Sequence, residues 1–227
     1  MRRLYQMHGH KTRRSRSDRI VLNGAHAPVL AVDVAGLPVG WMRWQKAVYH
    51  MTAGDVAWSL GQADTVIYGG TNRHGERSRL EIPPIIAIRG EDARGLLAIT
   101  PALTSETLFA RDRHVCMYCG EQFPGRALTK DHVHPVSRGG LTTWENVVTA
   151  CKPCNNRKAA RTPEEARMPL LAVPYAPNHA ENLILLNRRI LADQMEFLAS
   201  RVPPARAARY RRERQGPEAA PGRAGPA

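Results

Sequence analysis

Four cysteines fall in two Cys-x-x-Cys pairs, Cys116–Cys119 and Cys151–Cys154, and the chain has no others. Each pair brings two thiolates about 4 Å apart on one turn, and two pairs complete the tetrahedral sulfur set that suits Zn²⁺. The segment between them carries Asp131-His132-Val133-His134-Pro135, then Gly139-Gly140, then Trp144-Glu145-Asn146. The second pair runs directly into Asn155-Asn156-Arg157-Lys158. A carboxylate, imidazoles and amide oxygens beside a sulfur frame are more than a structural metal site needs.

The cysteine frame, with Asp131-His132, Asn146 and Asn155 in that order, resembles the HNH endonuclease family in its zinc-stapled variety. The resemblance implies a ββα fold around one divalent cation, in a chain that hydrolyses DNA. Its strands would be 127–133 and 146–149, with the helix starting at Pro153-Cys154, and the cysteines would bolt the strands to the helix through Zn²⁺. It implies that His132 is the general base acting on the attacking water and that Asp131 ligates the catalytic metal. Asn146 matches the residue that holds the intervening loop in register. Asn155 stands where many members have the final His, and as a harder amide ligand it favours Mg²⁺ or Mn²⁺.

Phosphodiester hydrolysis asks for a water made nucleophilic, charge stabilisation on the phosphorane and help for the leaving oxygen. A bound metal can serve the last two. A histidine, titrating near 6.5 when unperturbed, can take the proton at neutral pH for roughly 10²–10⁴ in rate. Asp131 and His132 are neighbours and would face opposite sides of a regular strand. For both to serve one site the strand must end or twist there, and Pro135 is consistent with that. His134 shares a strand face with His132 and stands as either a second ligand or phosphate donor, or a residue with no catalytic role. Arg138, Lys152, Arg157 and Lys158 are phosphate-contact candidates set against a plain solvated basic face, Lys158 being favoured because it follows the helix start. Gly139-Gly140 reads as a turn closing the loop over the site. The remaining histidines show no ligand spacing, and neither a Gly-x-Ser-x-Gly nor a phosphate-cradling Gly-rich loop with Lys is present.

The elements that must position these groups sit in a 227-residue chain of net charge +13 with 43% hydrophobic residues. Residues 1–20 and 201–227 together supply +11, and residues 109–161 a further +5. Basic charge concentrated on the cysteine module and two arms fits a nucleic-acid partner, with solubilisation as the bland alternative for the arms. Aromatic content of 6% argues against a single-strand stacking platform. No apolar run approaches the roughly 20 residues of a membrane span, and the N-terminus lacks an apolar signal region. Cysteines read as metal ligands fit a reducing cytoplasm, and no small-molecule cofactor is called for.

The expected class is α+β: a small N-terminal α+β unit, the zinc-stabilised module and a C-terminal helix. Residues 1–19 read as a basic disordered arm. Residues 20–90 read as a unit for target recognition or scaffolding, with strands at Ile20–Leu22, Val29–Val32, Asp55–Ser59, Thr65–Tyr68 and Ile85–Ile88. Apolar spacing predicts a helix over Trp41–Met51, capped near Gly54. Residues 91–168 hold the module, entered by a helix at Thr107–Asp112 and followed by a capping-box helix start at Thr162. Residues 169–202 form a Pro-rich hinge and a helix over 179–200, whose Leu183, Leu186, Ile190 and Phe197 stripe packs within the chain or on a second copy. Residues 203–227 read as a basic disordered tail. A non-catalytic zinc-ribbon binder and an RNA-directed nuclease are the competing readings.

Overall fold

The computed structural model describes residues 27–63, 65–187 and 189–212. The basic arm of residues 1–19, the strand expected at Ile20–Leu22 and the tail beyond residue 212 lie outside them. Strands β1 (Val29–Val32) and β2 (Pro38–Met42) form a hairpin, and helix α1 (Trp44–Ala53) follows. Trp41 therefore lies in a strand, not in the helix its spacing suggested. It pairs with Leu30 across the hairpin, and its indole N–H donates to the Leu183 carbonyl at 2.8 Å. Gly54 ends α1 with φ +79, the left-handed conformation that costs glycine least. Then come β3 (Val56–Leu60), β4 (Thr65–Thr71), β5 (Arg77–Ile82) and β6 (Ile85–Ile88). Strand β5, rich in charge, has no strand signature of its own and is set by pairing with β4. That pairing carries β4 through Gly69-Gly70, with a register shift there in place of the expected break.

Four strands make one sheet in the order β2-β1-β6-β3, with β1 and β6 parallel and the outer pairs antiparallel. The central strands are buried along their whole length, so they read as unbroken apolar runs. Val29, Ala31, Ile86 and Ile88 meet Ala47 of α1 together with Ile67 and Ile82 from the base of β4–β5. Leu30, Val32, Ile85 and Ala87 on the opposite face are covered from the far end of the chain.

Next in sequence comes the cysteine module: α2 (Ser105–Arg111), β7 (Leu128–His132), β8 (Val147–Cys151), α3 (Lys152–Lys158) and α4 (Pro163–Ala166). The Thr162–Glu165 capping box opens α4. The chain then returns as α5 (His179–Leu186), α6 (Ala192–Ala199) and α7 (Pro204–Arg212). The single helix expected over 179–200 is thus two, and a third helix occupies the start of the segment read as a disordered tail. The break frees Leu191 N–H to donate to Gln194 Oε1 at 3.0 Å. Buried Gln194 in turn donates to the carbonyls of Pro28 and Pro84, both at 2.8 Å, just before the two central strands. Composition missed α7 because its order comes from packing: Ala207 and Tyr210 join the core formed by Leu30, Ile85, Leu183 and Leu198. No helix of the described residues is long and apolar enough to cross a membrane.

Arg111 and Asp112 tie the module together. Arg111 is 1% exposed. Its Nε and Nη2 donate to the Asp112 carboxylate at 2.8 and 3.1 Å. Nη1 reaches the carbonyls of Trp144 and Tyr175, and Nη2 that of Val147. All five guanidinium N–H groups are thereby used. Asp112 also accepts the Thr149 N–H at 2.8 Å, locking α2 onto β8. Replacing Arg111 by Leu strands a buried carboxylate and three carbonyls, a loss of about 3–5 kcal/mol. At roughly 2–4 °C per kcal/mol for a chain of this size, the melting midpoint should fall by about 6–20 °C. Scanning calorimetry measures it, and a midpoint unchanged from wild type would deny the pair a stabilising role.

Candidate active site and metal centre

The two cysteine knuckles meet. All four Sγ atoms lie within 4.8 Å of one another, with Cys116 and Cys151 buried and Cys119 exposed. The first knuckle closes by Gly120 N–H donating to the Cys116 carbonyl at 2.9 Å. It is pinned to β8 by Met117 N–H on the Thr149 carbonyl, also 2.9 Å. Burial pushes the Cys116 thiol up, but N–H groups of Cys119, Cys151 and Tyr118 outweigh it and lower it to about 7. Burial and the neighbouring Cys151 and Cys116 sulfurs raise Cys154 instead, and local desolvation of the Cys119 sulfur, with Cys116 beside it, raises that thiol as well. Four crowded sulfurs of which some resist ionising call for a cation, and four thiolates in this compass fit Zn²⁺.

Strands β7 and β8 pair antiparallel, with Asp131 opposite Val148 and His132 opposite Val147. The pleat sends Asp131 and His132 to opposite faces. Asp131 points inward and is 5% exposed. One carboxylate oxygen accepts the Tyr118 hydroxyl at 2.5 Å. The ammonium of Lys158, itself fully buried, lies 3.1–3.2 Å from both carboxylate oxygens and donates to the His132 carbonyl at 2.7 Å. Burial, then the bond to Asp131 and its charge, drives the Tyr118 phenol up, so it remains the donor. Asp131 is thus neutralised and capped from both sides. In this arrangement it does not fit a catalytic divalent cation, which could reach the carboxylate only if Lys158 left it. Asn155 lies on the same side, its amide 3.4 Å from the Thr129 hydroxyl two residues before Asp131. Among the described residues, the four cysteines are the one cluster of three or more His, Cys, Asp or Glu ligand groups.

His132 faces the other way, at the open end of β7. Its Nε2 lies 2.9 Å from the Thr142 hydroxyl, either atom donating according to the tautomer. Asn146 bridges the loop that carries Thr142. Its Oδ1 accepts the His134 N–H at 2.8 Å, and its Nδ2 donates to the carbonyls of His134 and Leu141 at 3.1 and 2.8 Å. The tight turn requires Gly140, because a Cβ there would overlap the His134 carbonyl oxygen. Buried Trp144 anchors the loop's far end through its indole N–H on the Pro101 carbonyl at 2.7 Å. The His132 ring thus sits at a strand end beside a loop that one amide fixes at three points. Residues 116–171 match the family model of the HNH endonucleases. The match spans both knuckles, β7, β8, α3 and α4, and it points to nuclease activity on a nucleic acid. No curated protein matches the chain.

Within this matched segment and its surroundings the candidate phosphate contacts part company. Lys152 and Arg157 are exposed on α3. Arg138 forms a two-oxygen ion pair with Glu165 at 2.7 and 2.8 Å, linking the loop after β7 to the cap of α4. Lys158, favoured from sequence as a phosphate contact, is instead the internal counterion of Asp131. His134 is exposed, and its backbone is the part engaged, by Asn146. The sequence reading missed Tyr118 and Thr142. Tyr118 sits inside a knuckle, where its spacing marks nothing, and Thr142 acts only through a loop crossing. The adjacency of Asp131 with an inward face was the available hint that a buried partner must exist.

Proposed function

We propose that this chain is a metal-dependent endonuclease that hydrolyses DNA phosphodiester bonds in a reducing cytoplasm, with His132 as the general base. The observation that carries the reading is the setting of His132. Its backbone carbonyl is gripped by Lys158, its ring is steadied by Thr142, and the ring is part-exposed beside a loop built by Asn146. That setting supports a ring that takes a proton from a water attacking a phosphate laid across the loop. Thr142 and the strand end supply orientation, which is the larger part of what a positioned base contributes. Exposed Lys152 and Arg157 would hold flanking phosphates. Asn155 and Asp131 retain the metal role that the resemblance gives them only once Lys158 has left Asp131.

The test is conversion of supercoiled plasmid to nicked and linear forms by zinc-loaded protein, with Mg²⁺, Mn²⁺ or no added divalent ion. RNA of matched length serves as a second substrate. Nicking that needs Mg²⁺ or Mn²⁺ and spares RNA is the expected result. A protein that retards DNA on a gel and never nicks it would be a zinc-ribbon binder, and cleavage confined to RNA would overturn the substrate.

A further inference from the structure

Strands β4 and β5 make a two-stranded ribbon whose two halves differ. At its base, Ile67 and Ile82 are buried against α1. Beyond that, every residue from Gly69 to Arg79 is exposed. A ribbon with neither face covered is marginal in water, so this one must be held by its own construction, and it is. Asn72 Oδ1 accepts the N–H groups of His74 and Glu76 at 2.9 and 3.0 Å, and its Nδ2 donates to the Glu76 carboxylate at 3.0 Å. Gly75 turns the tip with φ +82. The Arg77 guanidinium lies 5.3 Å above the Tyr68 ring and donates to the Gly69 carbonyl at 3.2 Å. Arg73 projects at the tip, bonded to the His74 ring at 3.1 Å. Arg79 pairs with Glu81 across open solvent at 2.6 Å, both about half exposed, a contact that a phosphate can displace at little cost.

We infer that the outer half of this ribbon is a second DNA contact, entering the major groove with Arg73, Arg77 and Arg79 on the flanking phosphates. The inference rests on the DNA reading above but concerns a surface outside the HNH module. Paired strands lie about 4.8 Å apart, and the B-form major groove, about 12 Å wide, admits a two-stranded ribbon. Charge complements the partner: three arginines face one glutamate between Gly69 and Arg79, and that glutamate is tied to Asn72. Gly70 has open space where a side chain would stand, while the Ser78 hydroxyl closes over Gly69, so close backbone approach is confined to Gly70. Because the tip is prebuilt, little ordering cost is left for binding.

The test measures affinity of the full chain for a short fluorescein-labelled duplex across a salt series without added divalent ion. Wild type is compared with R73Q/R77Q/R79Q. Each phosphate contact contributes about 0.9 to the log–log salt slope, so the triple variant should lose roughly 2–3 from it. Nicking at saturating DNA should be unchanged while KM rises. Because Arg77 also braces the ribbon, Arg73→Gln alone is the second variant, with a slope loss of about 1. A variant slope equal to wild type, with wild type binding, overturns this inference alone and leaves the ribbon to a protein partner. Wild-type protein that binds no duplex overturns the DNA reading itself.

Discussion

His132→Ala is expected to cut supercoiled plasmid roughly 10²–10⁴-fold more slowly than wild type, while binding duplex with nearly the same affinity. The asymmetry follows from where the ring sits. The ring's hydrogen bond is to Thr142, so truncation removes a proton acceptor and one partly exposed hydrogen bond. What anchors the strand end is the His132 backbone carbonyl on Lys158, which alanine keeps. Single-turnover nicking at saturating protein isolates the chemical step, and anisotropy with the same duplex reads docking. A rate matching wild type would remove the base assignment and pass it to His134, whose ring is exposed two residues on. A rate and an affinity that fell together would mark His132 as a binding residue.

Removing zinc should unfold the cysteine module outright. The cysteines are themselves part of its core: Cys116 and Cys151 pack with Ala150 in one small cluster, and Leu108, Trp144 and Val147 form another. Neither is large enough to hold two strands and a seven-residue helix. Structural zinc contributes on the order of 10–16 kcal/mol in small zinc-finger peptides near neutral pH, as much as a whole domain's stability. Metal analysis should find about one zinc per chain, and Cys151→Ser should lose it together with the module's melting transition. The pH dependence has a definite sign. Cys119 and Cys154 have raised pKa values before metal arrives, so binding must expel their protons. Zinc retention therefore strengthens with rising pH and is lost as pH falls. Zinc-free protein that still melted cooperatively in all its parts would refute the structural role.

What was legible from sequence followed from local rules. The Cys-x-x-Cys spacing, the Gly54 cap and the Thr162 capping box each place their signal within a few residues of the structure they cause. The apolar run Ile85–Ile88 is similar, since a strand buried on both faces needs no alternation. What was not legible depends on partners distant in sequence. Trp41 satisfies helical spacing, yet its indole bonds Leu183 and its backbone pairs with Leu30. Strand β5 exists because β4 lies beside it. In the site, Asp131 and His132 were visible as a pair, but Lys158 as the buried counterion was not. Its charge looked like a surface feature until α3 was packed on β7.

The chain leaves the four-stranded sheet after Ile88 and comes back to cover it only at His179. On a ribosome adding about 5–20 residues each second, that interval lasts roughly 5–18 s. During it Leu30, Val32, Ile85 and Ala87 have emerged without the helices that will shield them. The cysteine module and its turns are all synthesised while this apolar face stands open. Newborn protein would thus depend on holding chaperones until Tyr210 arrives, and a stall anywhere between α2 and α5 would release a half-sheathed sheet to aggregate.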